Sequence, residues 1–200
     1  MCNIYTIGHS QHSIQHFIGL LKRHSINHVV DVRSVPYSRY APQHNKESIE
    51  KFLNQSDIKY IFMGEALGAR QSDRVLYGKE GYLDFSLVAK SEKFTLAINK
   101  LILGMDKGHK IALMCAEKEP TDCHRTILIS NEFYNRGIIV KHIYEDGTIK
   151  TQKEINTQLL DKYFPERSQL SIFDEQGQET RLLEKVYRLK NKEIGYSIQK

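Results

Sequence analysis

The chain has 200 residues, 40% of them hydrophobic, enough for one domain with its own core plus an appendage. No stretch approaches the roughly 18 consecutive apolar residues of a membrane span, and MCNIYTIGHS lacks the basic start and apolar run of a secretory signal, so the expectation is a cytoplasmic protein without membrane contact. Three cysteines, Cys2, Cys115 and Cys123, argue against a disulfide framework, and a formal net charge of +5 favours an anionic partner without naming one.

Along the chain, NIYTI (3–7) is a short apolar run with strand character, and it leads into Gly8, His9 and Ser10. Residues 13–24 place Ile14, Phe17, Ile18 and Leu21 at helical spacing. A second strand, HVVDV (28–32), runs into the polar segment DVRSVPYSRYAPQHN, and a helix over 46–55 puts Ile49, Phe52 and Leu53 on one face. KYIFM (59–63) ends in Gly64, Glu65 and, further on, Arg70. Residues 71–86 have no clear period and two glycines, which makes them a long loop: either a lid over a cleft or a plain insertion. A helix over 85–104 carries Leu87, Phe94, Ala97, Ile98 and Leu101. KIALM (110–114) precedes the Cys115 loop, a helix over 126–137 stops at Gly137, and IIVKHI (138–143) is the fifth run. Beyond residue 150 come two helical stretches, 153–164, stopped by Pro165, and 179–192.

Strands alternating with helices imply an α/β domain over 1–150. It has three layers, with a mostly parallel sheet of about five strands and helices on both faces, followed by a C-terminal helical extension over 151–200. Ligands of such sheets bind outside the carboxyl ends of the strands. Four successive strand ends here carry polar or ionisable residues, so parallel strands would bring them to one cleft.

The densest of these ends is Cys115-x-Glu117 through Cys123-His124-Arg125. A cysteine at a helix start meets unpaired backbone N–H groups, with Thr121 and Asp122 as caps, and this favours its thiolate. Cys123 could then be a nucleophile with His9 or His124 as base, and with Cys115, Glu117, Asp31 or Glu65 as further participants. Alternatively, Arg33, Arg39, Arg70 and Arg125, with Ser10 and Glu65 nearby, would bind a phosphate or carboxylate, because guanidinium forks match both. The spacing matches no standard zinc motif, so the sequence requires no cofactor and zinc stands as an alternative.

Four segments taken together resemble the bacterial and archaeal family called domain of unknown function 488: Tyr5 to Ser10, Asp31 to Pro36, Gly64 to Gly68, and Cys115 to Arg125. The resemblance covers about residues 3–145. It implies the α/β fold and a site built from these motifs, and it supplies no reaction.

In the tail, Gln169, Leu170, Ser171, Ile172 and Phe173 resemble the peptide with which bacterial replication and repair proteins bind the sliding clamp. Leu170, Ile172 and Phe173 would fill an apolar groove while Gln169 bonds at its rim. These features together point to an enzyme acting on nucleic acid or a nucleotide-like anionic substrate, in DNA repair or processing. A non-catalytic nucleic-acid or nucleotide-binding module and a thiol-based redox or sulfur-handling enzyme are the alternatives.

Overall fold

Six strands form a single sheet in the computed structural model, which describes residues 3–169 and 175–198. They are β1 (Asn3–Gly8), β2 (His28–Asp31), β3 (Lys59–Phe62), β4 (Ile111–Cys115), β5 (Ile139–Ile143) and β6 (Ile149–Thr151), in the spatial order β3-β2-β4-β1-β5-β6. The first five are parallel, and β6 returns antiparallel along β5. The α/β reading holds. The sixth strand was not legible because Ile-Lys-Thr is a three-residue, half-buried edge with no apolar run.

Side chains alternate across the strands, and this divides the core in two. On one face Tyr5, Ile7, Val29, Ala112 and Met114 pack against Phe17 and Leu21 of α1 (Ile14–Arg23) and Ile49 and Leu53 of α2 (Lys46–Asn54). A short α3 (Gly64–Leu67) follows β3. The opposite face, with Ile4, Val30, Leu113 and Cys115, is covered by α4 (Phe85–Lys90), α5 (Glu92–Asp106), α6 (Asn131–Asn135) and α7 (Gln152–Tyr163). Val186, from α8 (Glu175–Ile194), belongs to the same cluster, so the C-terminal extension packs on the domain.

The single helix expected over 85–104 is two. Ser91 is extended at φ −70°, ψ 144°, and its hydroxyl accepts from the Phe94 N–H, restarting the chain as α5. The segment 71–86 is pinned at Leu83, whose N–H donates to the Tyr196 carbonyl and whose side chain enters the core. The clamp-like peptide, Leu170 to Phe173 with the side chain of Gln169, lies outside the described residues. Among the described residues no helix is long and apolar enough to cross a membrane.

A buried polar network ties β1 and β5 to the last two helices. His142 Nδ1 lies 2.9 Å from Thr6 Oγ1 and Nε2 lies 2.8 Å from Gln152 Oε1. Gln152 Nε2 donates in turn to Asn156 Oδ1 and to the Tyr187 hydroxyl. An amide oxygen only accepts, so His142 carries its proton on Nε2 and takes the Thr6 hydroxyl proton at Nδ1. Burial, followed by the Arg125 charge, lowers its pKa to about 3.

A group held neutral in this way binds its proton more readily in the unfolded chain, where the pKa is about 6.5. Its stabilising contribution is therefore complete above that value and is lost as pH falls from about 6.5 to about 3. The urea midpoint should begin to drop below pH 6.5, above the range in which ordinary carboxylates titrate, by up to about 1.4 kcal/mol per pH unit for this ring. His9 titrates in the same window, so the His142 share is the difference from His142→Gln; a loss between pH 7 and pH 5 equal in the two proteins would show that His142 is not held neutral.

Candidate functional site

The loop after β4 turns back over the end of β1, and the approach is possible because residue 8 is glycine. A Cβ at Gly8 would overlap the Glu117 carbonyl. The loop is held by backbone bonds from His9 N–H to the Cys115 carbonyl (2.8 Å) and from Ser10 N–H to the Ala116 carbonyl (3.0 Å). Beneath it lies Arg125, with no exposed surface, donating through Nη1 to the Glu117 carbonyl (2.6 Å) and through Nη2 to the Lys118 carbonyl (3.1 Å).

Residues 120–122 form one 3-10 turn, and a π-helical turn, Arg125–Ser130, leads into α6. Thr121 and Asp122 cap neither. Cys123 is itself extended at φ −133°, ψ 139°, and its sulfur accepts from the Arg125 N–H at 3.4 Å. The cysteine expected near a helix start thus ends the 3-10 turn, one residue before His124 at the N-cap of the π-helical turn.

Four side chains converge here. Glu117 Oε2 lies 2.8 Å from Cys115 Sγ and 3.0 Å from Cys123 Sγ, while His124 Nδ1 lies 3.7 and 3.8 Å from the same sulfurs. His124 Nε2 faces the Val32 carbonyl at 3.1 Å, so in the neutral ring Nε2 carries the proton and the Nδ1 lone pair points at the thiols. Cys115, Cys123 and His124 are buried, whereas Glu117 is exposed as a residue and turns its carboxylate inward.

The protonation of these groups is linked. Burial and the neighbouring Cys123 push the Cys115 thiol well up. Burial acts against ionisation of Cys123 too, but the Cys115 hydrogen bond, Arg125 and His124 outweigh it and hold that thiol well below its ordinary value. Burial and Cys123 raise Glu117; for His124, burial is overcome by Cys123, and its pKa rises.

His9, Asp31 and Arg33 form a second network on the opposite face of the sheet. Asp31 Oδ1 and Oδ2 accept from Arg33 Nε (2.9 Å) and Nη2 (2.6 Å), a bidentate buried pair, and Oδ2 accepts from the Tyr60 hydroxyl at 2.7 Å. Arg33 Nη1 lies 3.0 Å from His9 Nε2, and His9 Nδ1 lies 2.8 Å from the Ser10 carbonyl, so the neutral His9 ring donates from Nδ1 and accepts from Arg33. His9 stacks on His44 with 4.4 Å between ring centroids, and its pKa is lowered to about 3, first by burial and then by His44 and Arg33. The two networks are joined by backbone at the strand ends, and their charges act on one another: Glu117 on His9 and Cys115 on Arg33.

The expected single cleft therefore resolves into two sets of residues, and the anion-binding arginines are dispersed. Arg33 is neutralised by Asp31, Arg125 grips carbonyls, and Arg39, Glu65 and Arg70 are on the surface. Ser10 is half-buried, with a left-handed φ of 47°. Tyr60 and His44 were missed: Tyr60 reaches Asp31 through the β2–β3 pairing, and His44 arrives at the end of a loop. Neither position has a local signal in the sequence.

A family model described as "Domain of unknown function DUF488" matches residues 13–131, more than half of the chain. Neither the curated proteins nor the solved structures compared with the chain gave a match.

Two substitutions test the frame. Asp31→Leu leaves the Arg33 charge buried alone and should cost about 3–5 kcal/mol in urea unfolding, with much of that loss recovered in the double variant Asp31→Leu/Arg33→Met. Gly8→Ala must move the Glu117 carbonyl and should cost about 1–3 kcal/mol, the usual penalty of overpacking. Stability equal to the parent in Gly8→Ala would mean that the loop has another resting place.

Proposed function

We propose that this chain, which belongs to the DUF488 family, is a metal-dependent enzyme whose divalent ion is held by Cys115, Cys123 and His124, with Glu117 on the solvent side. The observation that carries this reading is that the four donor atoms, two sulfurs, one imidazole nitrogen and one carboxylate oxygen, all lie within 4.8 Å of one another.

Three features support it. Zinc–sulfur and zinc–nitrogen distances of about 2.3 and 2.0 Å at a tetrahedral angle correspond to a sulfur–nitrogen separation of about 3.5 Å. The two separations here are 3.7 and 3.8 Å. His124 is oriented by its outer nitrogen on a backbone carbonyl, the usual support of a metal-binding imidazole. Two thiolates and a carboxylate around a divalent ion leave one negative charge, and Arg125 supplies a buried positive charge that has no carboxylate in ion-pair range among the described residues. Mixed sulfur and nitrogen donors favour zinc or iron over magnesium or calcium.

Three buried donors beside the carboxylate of a solvent-exposed residue fit a reactive centre better than a closed structural site, in which four ligands fill the shell. Such an ion, when bound, polarises a substrate oxygen or brings the pKa of a water into the neutral range. Glu117 stands closer to the sulfurs than a fixed ligand would, on the exposed side. From there its carboxylate is placed to take a proton from an attacking water and return it to the leaving group. Metal-assisted hydrolysis is the reaction class this arrangement supports.

Protein purified without chelator should contain one zinc or iron per chain. Cobalt substitution should give sulfur-to-metal charge-transfer absorption, weakened in Cys123→Ser and in Cys115→Ser and lost in the double variant. Arg125→Met, which removes the outer support, should weaken ion affinity about 10–100-fold while keeping the stoichiometry at saturation. A chain that binds no divalent ion and instead oxidises Cys115 and Cys123 to a disulfide would overturn this assignment in favour of thiol chemistry.

A further inference from the structure

The segment between β2 and α2 runs from the sulfur-lined centre to the second network. It departs at Val32, whose carbonyl accepts from His124, and ends at His44, which is stacked on His9. Between these points it is braced: the Ser38 N–H donates to Asn45 Oδ1 at 2.7 Å, and the Lys46 N–H donates to the Pro36 carbonyl at 3.0 Å. Its tip is nevertheless presented to solvent, with Tyr37 63% and Tyr40 88% exposed on either side of an exposed Arg39.

One exposed aromatic residue carries no information. Two tyrosines flanking an arginine on a braced loop are a different case, because ordering the loop removes an entropy cost that a ligand would otherwise have to meet. The neighbouring surface has the same character. The Arg70 N–H is fixed to Ser34 Oγ at 2.7 Å, and its guanidinium lies 4.5 Å from the centre of the Tyr196 ring. Arg39, Lys46 and Arg70 take part in none of the ion pairs among the described residues, and the chain as a whole carries +5.

We infer that this surface binds single-stranded nucleic acid, with Tyr37 and Tyr40 stacking on bases and Arg39 and Arg70 on phosphates, and that it delivers the strand to the Cys115–Cys123–His124 centre. The inference rests on the proposed metal-dependent hydrolysis and gives it a substrate class. Exposed rings interleaved with cations match a strand whose bases have free faces and whose backbone is anionic. A duplex hides those faces in its stack and offers these rings nothing comparable.

The test is fluorescence anisotropy of a labelled mixed-sequence single-stranded oligodeoxynucleotide against the full-length protein as purified. Binding should weaken with salt. Tyr37→Ala and Tyr40→Ala should each weaken it by about tenfold, and Tyr40→Phe, which keeps the ring, should bind like the parent. Arg39→Ala should lower the slope of log affinity against log salt by about 0.7, one phosphate's share for a single strand. Metal content, measured in the same preparations, should be unchanged in Tyr40→Ala. Strand binding without metal would sink the metal centre and keep the surface; metal without strand binding would do the reverse. Salt-independent binding, alanine variants that bind like the parent, or tighter binding of the matching duplex would overturn the inference, as would a surface that captures a protein and no oligonucleotide.

Discussion

A guanidinium with no exposed surface has lost its hydration and must recover it from fixed dipoles or from nearby negative charge. Arg125 does so in part, its Nη1 and Nη2 gripping the carbonyls of Glu117 and Lys118 while its Nε is buried without a partner, and the rest of the site follows from that grip. The loop after β4 is drawn down onto the end of β1, where only a glycine leaves room for it. That descent turns the Glu117 carboxylate toward the two sulfurs. Because Arg125 sits two residues after Cys123, the same anchor sets the start of the π-helical turn and aims Cys123 and His124 at Cys115. Its positive charge also lowers the cost of gathering thiolate and carboxylate in one buried place.

The sheet separates two kinds of chemistry. Cys115 and Asp31 are each the last residue of a parallel strand, yet their side chains fall on opposite faces, and the period of two in a strand is the cause. Asp31, Arg33 and Tyr60 form a closed, mutually satisfied set that holds the loop after β2, with little capacity left for a ligand. The thiol side is the reverse: two sulfurs, a carboxylate and an imidazole lone pair crowd one point, and without a cation they have to share protons. Donors arranged in this way are poorly satisfied by one another and well satisfied by a metal ion.

Buried histidines show the same distinction. His9 and His142 each donate from one nitrogen to an oxygen acceptor and accept at the other, which fixes a neutral tautomer and explains why protonation is so unfavourable. His124 gives one nitrogen to a backbone carbonyl and turns the other toward sulfur, with no hydroxyl or guanidinium to occupy it. Three imidazoles with similar burial thus serve as packing, as a strut and as a ligand candidate, according to what stands opposite the second nitrogen.

Several features were settled by local sequence alone. The five apolar runs, the helical periods at Ile14 to Leu21 and Ile49 to Leu53, and the closeness of Cys115, Glu117, Cys123, His124 and Arg125 along the chain are all read from near neighbours. Their physics is short-ranged. Other features needed the folded chain. Strand order and pairing bring Tyr60 to Asp31, although 29 positions separate them, and carry His142 to Thr6 across 136. The division of one expected cleft into two networks comes from which face each strand end presents. The dispersal of Arg39 and Arg70 to the surface comes from where their loops run, and no residue type or spacing records that. Composition and periodicity are sums over near neighbours, whereas a site is a meeting of distant ones. The sequence could therefore single out the Cys115 to Arg125 segment for its ionisable side chains, but only the packing of Arg125 beneath its loop made it a single point with four donors.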